Sequence, residues 1–156
     1  MTTYTDLPAA PLPPGHYVSD APDLVDIERV HHWLSTDAYW ALGRSLEKQR
    51  AAAEGSLNFG VYEDVTDAGG TVRREQRAYA RVVTDRTTFA WLCDVYVPRE
   101  ARGRGLAKAL LAAVRARMEE YGVRRVLLVT STAQELYRSV GYDEVEQGKW
   151  MVLPLE

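Results

Sequence analysis

The chain has 156 residues, which bounds it to about one domain that buries roughly two thirds of the surface its unfolded form exposes. With 46% hydrophobic and 26% charged residues it has the composition of an ordinary soluble globular protein, which excludes a disordered or fibrous chain. A net charge of −3 excludes the domain-wide basic face that long nucleic acid favours, although six Lys/Arg against one acid over residues 99–118 form a local basic cluster suited to a small anion.

Residues 1–15 contain Pro8, Pro11, Pro13 and Pro14 and end at Gly15, so a flexible or extended leader is expected there. GHYVSDAP offers a short strand. In DLVDIERVHHWLS, the positions Leu24, Ile27, Val30, His31 and Leu34 recur at helical spacing and predict an amphipathic helix. Asp37 then reads as the cap of a second helix, AYWALGRSLEKQRAAAE, ended by Gly55. SLNFGVYED, EQRAYARVVTD and TTFAWLCDVYV are three β-rich runs, the first two joined by the turn residues DAGG, and together they predict consecutive antiparallel strands. Pro98 stops the third, because it has no N–H for a central ladder.

Beyond a glycine corner, Ala107, Leu110, Leu111, Val114, Met118 and Tyr121 mark a long helix closed by Gly122. RRVLLVT is almost continuously apolar, as a strand covered on both faces should be. TAQELYRSVG predicts a short helix, and YDEVE with KWMVLPLE a terminal β pair. The order is β-α-α-β-β-β-α-β-α-β-β, an α+β or mixed α/β domain over residues 16–156. The strand–helix–strand unit at 88–130 places one parallel pair in the middle of an otherwise antiparallel sheet.

The corner RGRGLA carries the chemistry. A strand ending at Val97 and a helix beginning near Arg104 leave unpaired N–H groups at the helix start, where the peptide dipoles sum to about half a positive charge. Gly103 and Gly105 permit torsions and close approach that a side chain blocks, while Arg102, Arg104 and Lys108 add full charges. The corner is neither a GxGxxG dinucleotide turn nor a GxxxxGK[ST] loop.

DVYVPREARGRGLAKALL resembles motif A of the GCN5-related N-acetyltransferase (GNAT) superfamily, with Arg102, Gly105 and Ala107 at its fixed positions. ELYRSVGY, about 30 residues on, resembles the tyrosine-containing motif B, and the order of elements over residues 16–156 is similar too. The wording around these motifs is similar to a bacterial branch of the superfamily. The resemblance implies a single acyl-CoA N-acyltransferase domain that passes an acetyl group from acetyl-CoA directly to a primary amine of a small molecule or peptide. A coenzyme A-binding regulatory module without turnover is the alternative.

By that resemblance, the corner of Arg102, Gly103, Arg104, Gly105, Leu106, Ala107 and Lys108 holds the coenzyme pyrophosphate, and backbone groups of the stretch Val95, Tyr96 and Val97 pair with its pantetheine arm. The Val95 N–H is the expected oxyanion donor, and Tyr137 the expected proton donor to the leaving thiolate. Tyr142, after the glycine, is expected to plug the core. Asp94, placed by strand alternation on one face with Leu92 and Tyr96, is the candidate general base, an ion pair to Arg81 being the competing explanation and Glu63 or a water chain the substitutes. Trp33, Tyr39 and Trp40 are the candidate acceptor wall, or else a staple between the two helices.

The lone cysteine, Cys93, permits no intrachain disulfide, offers no zinc spacing, and reads as inert packing rather than an acyl-carrying nucleophile; no metal is expected. No apolar run approaches the ~20 residues that span a bilayer, so a cytoplasmic protein without a membrane or nucleic-acid partner is expected. A homodimer through the terminal strands would fit the resemblance.

Overall fold

The computed structural model describes residues 10–155. Strand β1 (His16–Ser19) leads into helices α1 (Ile27–Asp37) and α2 (Leu46–Glu54). A meander of β2 (Leu57–Thr66), β3 (Val72–Thr84) and β4 (Ala90–Tyr96) follows, then α3 (Leu106–Glu120), β5 (Val126–Leu127) and α4 (Gln134–Ser139). The strands form one sheet in the order β1-β2-β3-β4-β5, antiparallel except for β4 and β5. Helix α3 packs on one face, against Phe59, Val61, Ala78, Ala80, Val82 and Leu92. Helix α1 packs on the other, where Val30 and Leu34 meet Tyr79 and Tyr96. Among the described residues, no helix is long and apolar enough to cross a membrane.

Local chemistry accounts for most boundaries. Asp26 caps α1 by accepting the Arg29 N–H at 3.1 Å. The β2–β3 turn is closed by Asp67, whose Oδ1 accepts from the Gly69 and Thr71 amides, both at 2.9 Å. Helix α3 presents an unbroken apolar stripe, and Leu110 at its centre is fully buried. Leu110→Ala is expected to lower stability by about 2–5 kcal/mol, measured by urea unfolding, because the surrounding sheet and helix fill the vacated volume only in part.

Several expectations are corrected. Asp37 does not cap the second helix. It is the last residue of α1, and a turn over 38–45 follows before Ser45 caps α2 by accepting the Lys48 N–H at 3.2 Å. Strand β5 is two residues long and is not covered on both faces, since Val129 just beyond it is 78% exposed. Residues 143–155 form no ladder, so the terminal β pair is absent and the parallel β4–β5 pair lies at the sheet edge rather than in its middle. The leader lies, for residues 1–9, outside the described residues. At its described end Leu12 packs on the α3-side core and the Gly15 carbonyl accepts the Asp64 N–H at 3.2 Å, so that part is held against the sheet.

Candidate active site

The site begins with a fault in the ladder. Tyr79 pairs with Tyr96 and Arg81 with Cys93, so the single residue Ala80 of β3 faces two of β4, Asp94 and Val95, a β-bulge. Asp94 takes up the extra residue at φ +51°, a left-handed conformation that Asp tolerates better than most side chains. The inserted residue reverses the alternation of the strand. Leu92 points into the α3-side core, whereas Tyr96 points into the α1-side core. Strand parity therefore fails at this point: Leu92 and Tyr96 do not share a face, and Asp94 goes with Tyr96.

The Asp94 carboxylate, with a side chain 1% exposed, is surrounded by donors. Arg44 from the α1–α2 turn donates to it twice, at 2.7 and 3.2 Å, Arg81 Nε once at 2.9 Å and Trp40 Nε1 once at 2.9 Å. Burial alone raises a carboxyl pKa, but here the hydrogen bonds and charges of Arg44 and Arg81 outweigh it and hold Asp94 below the usual carboxylate range. A carboxylate so held has little affinity for a proton at neutral pH. The geometry matches the ion-pair explanation, and it adds Arg44 and Trp40 as partners. Glu63, the substitute base, lies far along β2 in an ion pair with Arg77 and lines no part of the cavity described next.

Strands β4 and β5 pair only at Ala90 with Val126 and Trp91 with Leu127. They then diverge, and between them opens a cavity of about 770 Å³ walled by Leu92–Val97 on one side and Leu128–Ala133 on the other. The glycine corner closes one end of this space, with Arg102, Gly103, Gly105, Leu106, Ala107 and Lys108 on its lining. Gly103 and Gly105 have φ of +77° and +81°. A Cβ added to Gly103 would meet nothing within 4 Å, so the space in front of the corner is open to a ligand. The first N–H group of α3 with a helical partner is that of Ala109, bonded to the Gly105 carbonyl at 3.0 Å, leaving the earlier donors of the turn for an anion. Arg102 does not present a free charge: its Nε donates to the Val97 carbonyl at 2.9 Å and its Nη2 lies 3.6 Å from Asp37. Arg104 is exposed and lines no part of the cavity.

Tyr137 on α4 lines the same cavity and packs edge-on against Tyr142, ring centres 5.6 Å apart. Burial pushes the Tyr137 hydroxyl up to about 12, so it is fully protonated at neutral pH. Tyr142 packs on the α3-side core, where the sequence put it.

Of the aromatic trio, Tyr39 and Trp40 line the cavity, in edge contact with each other, ring centres 4.9 Å apart. Tyr39 also accepts the Ser131 N–H at 3.1 Å, joining the α1–α2 turn to the segment after β5. Trp33 is elsewhere. It stacks on Tyr96 at 5.8 Å within the α1-side core, outside this cavity, and so joins α1 to β4 rather than one helix to the other. Cys93 lines the cavity, but burial lifts its thiol to about 11, which keeps it from being a thiolate.

The comparisons with known proteins agree with this geometry. The family model described as "Acetyltransferase (GNAT) family" matches residues 27–142, from the start of α1 to the tyrosine after α4. The chain belongs to the GNAT acetyltransferase family. This GNAT chain is 40% identical to a Xanthomonas campestris pv. campestris acetyltransferase of the same family, whose crystal structure superposes with a TM-score of 0.73 over 85% of this chain and 87% of that one. A Gibberella zeae protein named as an acetyltransferase is 30% identical over 135 residues, 79% of this chain and 76% of its own length. A Mycobacterium tuberculosis protein, solved in complex with CoA and NLQ, shares the fold at 18% identity, with a TM-score of 0.61 over 83% of this chain and 72% of that one. The protein is thus an acyltransferase of a family that draws its acetyl group from acetyl-CoA.

Proposed function

We propose that this protein is an acetyl-CoA-dependent N-acetyltransferase whose acceptor is a primary amine on a small molecule or peptide. The observation that carries the reading is the divergence of β4 from β5, which opens one cavity lined by the glycine corner and by Tyr137. Bound acetyl-CoA supplies the acetyl group as an activated thioester.

The chain's own residues divide the remaining work. The amides at the start of α3, with Gly103 and Gly105 clearing the approach and Lys108 adding charge, hold the pyrophosphate. Backbone groups of Val95 and Val97, on the side of β4 that β5 vacates, hold the pantetheine arm, and Tyr96 between them turns inward to the α1-side core. The Val95 N–H, directly after the bulge, donates to the thioester oxygen in this reading. Tyr137 gives its proton to the departing sulfur. Tyr39 and Trp40, half exposed on the cavity lining, receive the acceptor. Asp94 acts by positioning: through Arg44, Arg81 and Trp40 it fixes that wall and the bulge, and the positioning of the two substrates carries the catalysis.

Incubating the protein with acetyl-CoA and a panel of amines is expected to release free thiol and yield products heavier by one acetyl group and stable to hydroxylamine, as amides are. Tight CoA binding with no product from any amine would leave the binding module standing, and acetyl esters in place of amides would refute N-transfer. Gly105→Val is expected to weaken CoA binding at least about tenfold, or 1.4 kcal/mol, by calorimetric titration. An unchanged Kd in the folded variant would remove the corner from the binding site.

A further inference from the structure

Two carboxylates line the cavity, and each is outnumbered. Asp94 is shared by the guanidinium groups of Arg44 and Arg81, at 2.7 and 2.9 Å, and a second Arg44 bond and Trp40 Nε1 take up its other oxygen. Asp37 is shared by Arg99 at 2.6 Å and Arg102 at 3.6 Å, and it accepts the Tyr96 hydroxyl as well. Two cations against one anion leave a surplus of one positive charge at each acid. Neither acid takes up a proton at neutral pH. Asp37 is held down to about 2, chiefly by the Arg99 hydrogen bond, and Asp94 is held low by its arginines against the opposing effect of burial.

The other ionisable groups on the lining do not replace them. Burial pushes Cys93 up to about 11 and Tyr96 and Tyr137 to about 12, so all three keep their protons. Lys108, like Arg99 and Arg102, is a cation. Tyr39 is moved the other way, because its oxygen accepts the Ser131 N–H, but from a phenol's ordinary value of about 10. The stretch 128–133 contributes no ionisable side chain, and Glu100, beside Arg99, is exposed and lines no part of the cavity. Among the described residues the lining thus carries no histidine and no carboxylate that is not claimed by two arginines.

An alkylammonium brought into this space meets no partner for its charge and two surpluses of its own sign, both of which disfavour the charged form. A neutral amine meets neither penalty, and it already carries the lone pair that attacks a thioester. We propose, resting on the N-acetyl transfer put forward above, that the acceptor is a weakly basic amine taken up in its neutral form, of the class of a peptide α-amino group, rather than a strongly basic alkylamine such as a lysine side chain or a polyamine. At pH 7 about a tenth of α-amino groups are neutral, against about one lysine ε-amino group in 2,500. The better nucleophilicity of the more basic nitrogen recovers only part of that difference.

A short peptide with one free α-amine and one lysine makes the two nitrogens compete in a single reaction. With acetyl-CoA at pH 7, fragmentation mass spectrometry is expected to find the acetyl group on the α-nitrogen at least about tenfold more often than on the ε-nitrogen. The second measurement is kcat/KM against pH for an α-amino amide, benzylamine and a straight-chain alkylamine. Each profile is expected to rise with pH and to level off at that amine's own pKa, so that the inflection moves with the substrate, in wild type and in Tyr39→Phe alike. Preferred acetylation of the ε-nitrogen would overturn the proposal. An inflection at one fixed pH for every amine would overturn it too, since it marks a base in the protein, and its loss in Tyr39→Phe would identify that base. No product from any amine at any pH is a different result: it removes N-transfer itself, and this inference with it.

Discussion

Asp94→Ala is expected to lower stability by about 3–5 kcal/mol, because it leaves Arg44 and Arg81 buried without their common anion, with side chains 15% and 14% exposed. Urea midpoints at neutral pH measure this directly, and a loss below about 1 kcal/mol would mean that solvent or another group compensates the arginines. Asp94→Asn separates charge from shape. The folded pKa of Asp94 lies below its ordinary value of about 3.8, so its ionised form contributes stability that is present above that value and lost as pH falls through the folded one. Wild type is therefore expected to lose stability on acidification below about pH 4 more steeply than Asp94→Asn does. In activity, the folded Asp94→Asn variant is expected to be slower by a ratio that is the same at every pH. An acid limb present in wild type and absent from the variant would restore Asp94 as the base.

Tyr137→Phe is expected to reduce kcat by about 10²–10⁴, the usual contribution of a positioned general acid, with Kd for CoA unchanged. The hydroxyl is the only group removed and the ring still packs on Tyr142, so the fold is expected to hold. With its ionisation raised to about 12 by burial, Tyr137 contributes no alkaline fall to the wild-type profile across the range in which the protein is folded. That protonation has a chemical cost, since a phenol of pKa near 12 is a weaker acid than a free one, and its proton moves only as negative charge builds on the sulfur. The defect in Tyr137→Phe should accordingly shrink for acyl thioesters with more acidic thiols. Full activity in this variant would return the tyrosine to the core.

What could be read from the sequence, and what could not, divides along the range of the forces involved. The meander, the crossover helix and the glycine corner were legible because alternation, turn residues and the stop at Pro98 act over a few neighbours. The bulge was not, since a period-two argument cannot register one added residue, and through it Leu92 was placed on the face of Asp94 and Tyr96. Arg44 escaped notice because it sits in the turn wrongly read as helix. A buried aspartate next to one arginine was the available hint that a further cation from outside the sheet would be needed. Asp37 and Ser45 are both able to cap. The choice between them fell to a distant contact, Asp37 being claimed by the Tyr96 hydroxyl at 2.7 Å and by Arg99 at 2.6 Å. These pairings hold Asp37 down to about 2, the Arg99 hydrogen bond foremost.

In the proposed reading, the extra residue at Asp94 also sets which substrate each side of β4 serves. A chain shortened by one residue between Cys93 and Val95 would still form a ladder with β3, because backbone pairing is indifferent to side chains. Every position beyond the cut would then change faces, turning Tyr96 toward α3 and sending Val95 and Val97 toward α1. The apolar lining of the proposed coenzyme channel and the polar socket that braces the proposed acceptor wall would trade places. A single odd-numbered offset in one strand is thus what lets two chemically unlike half-sites meet across the same backbone.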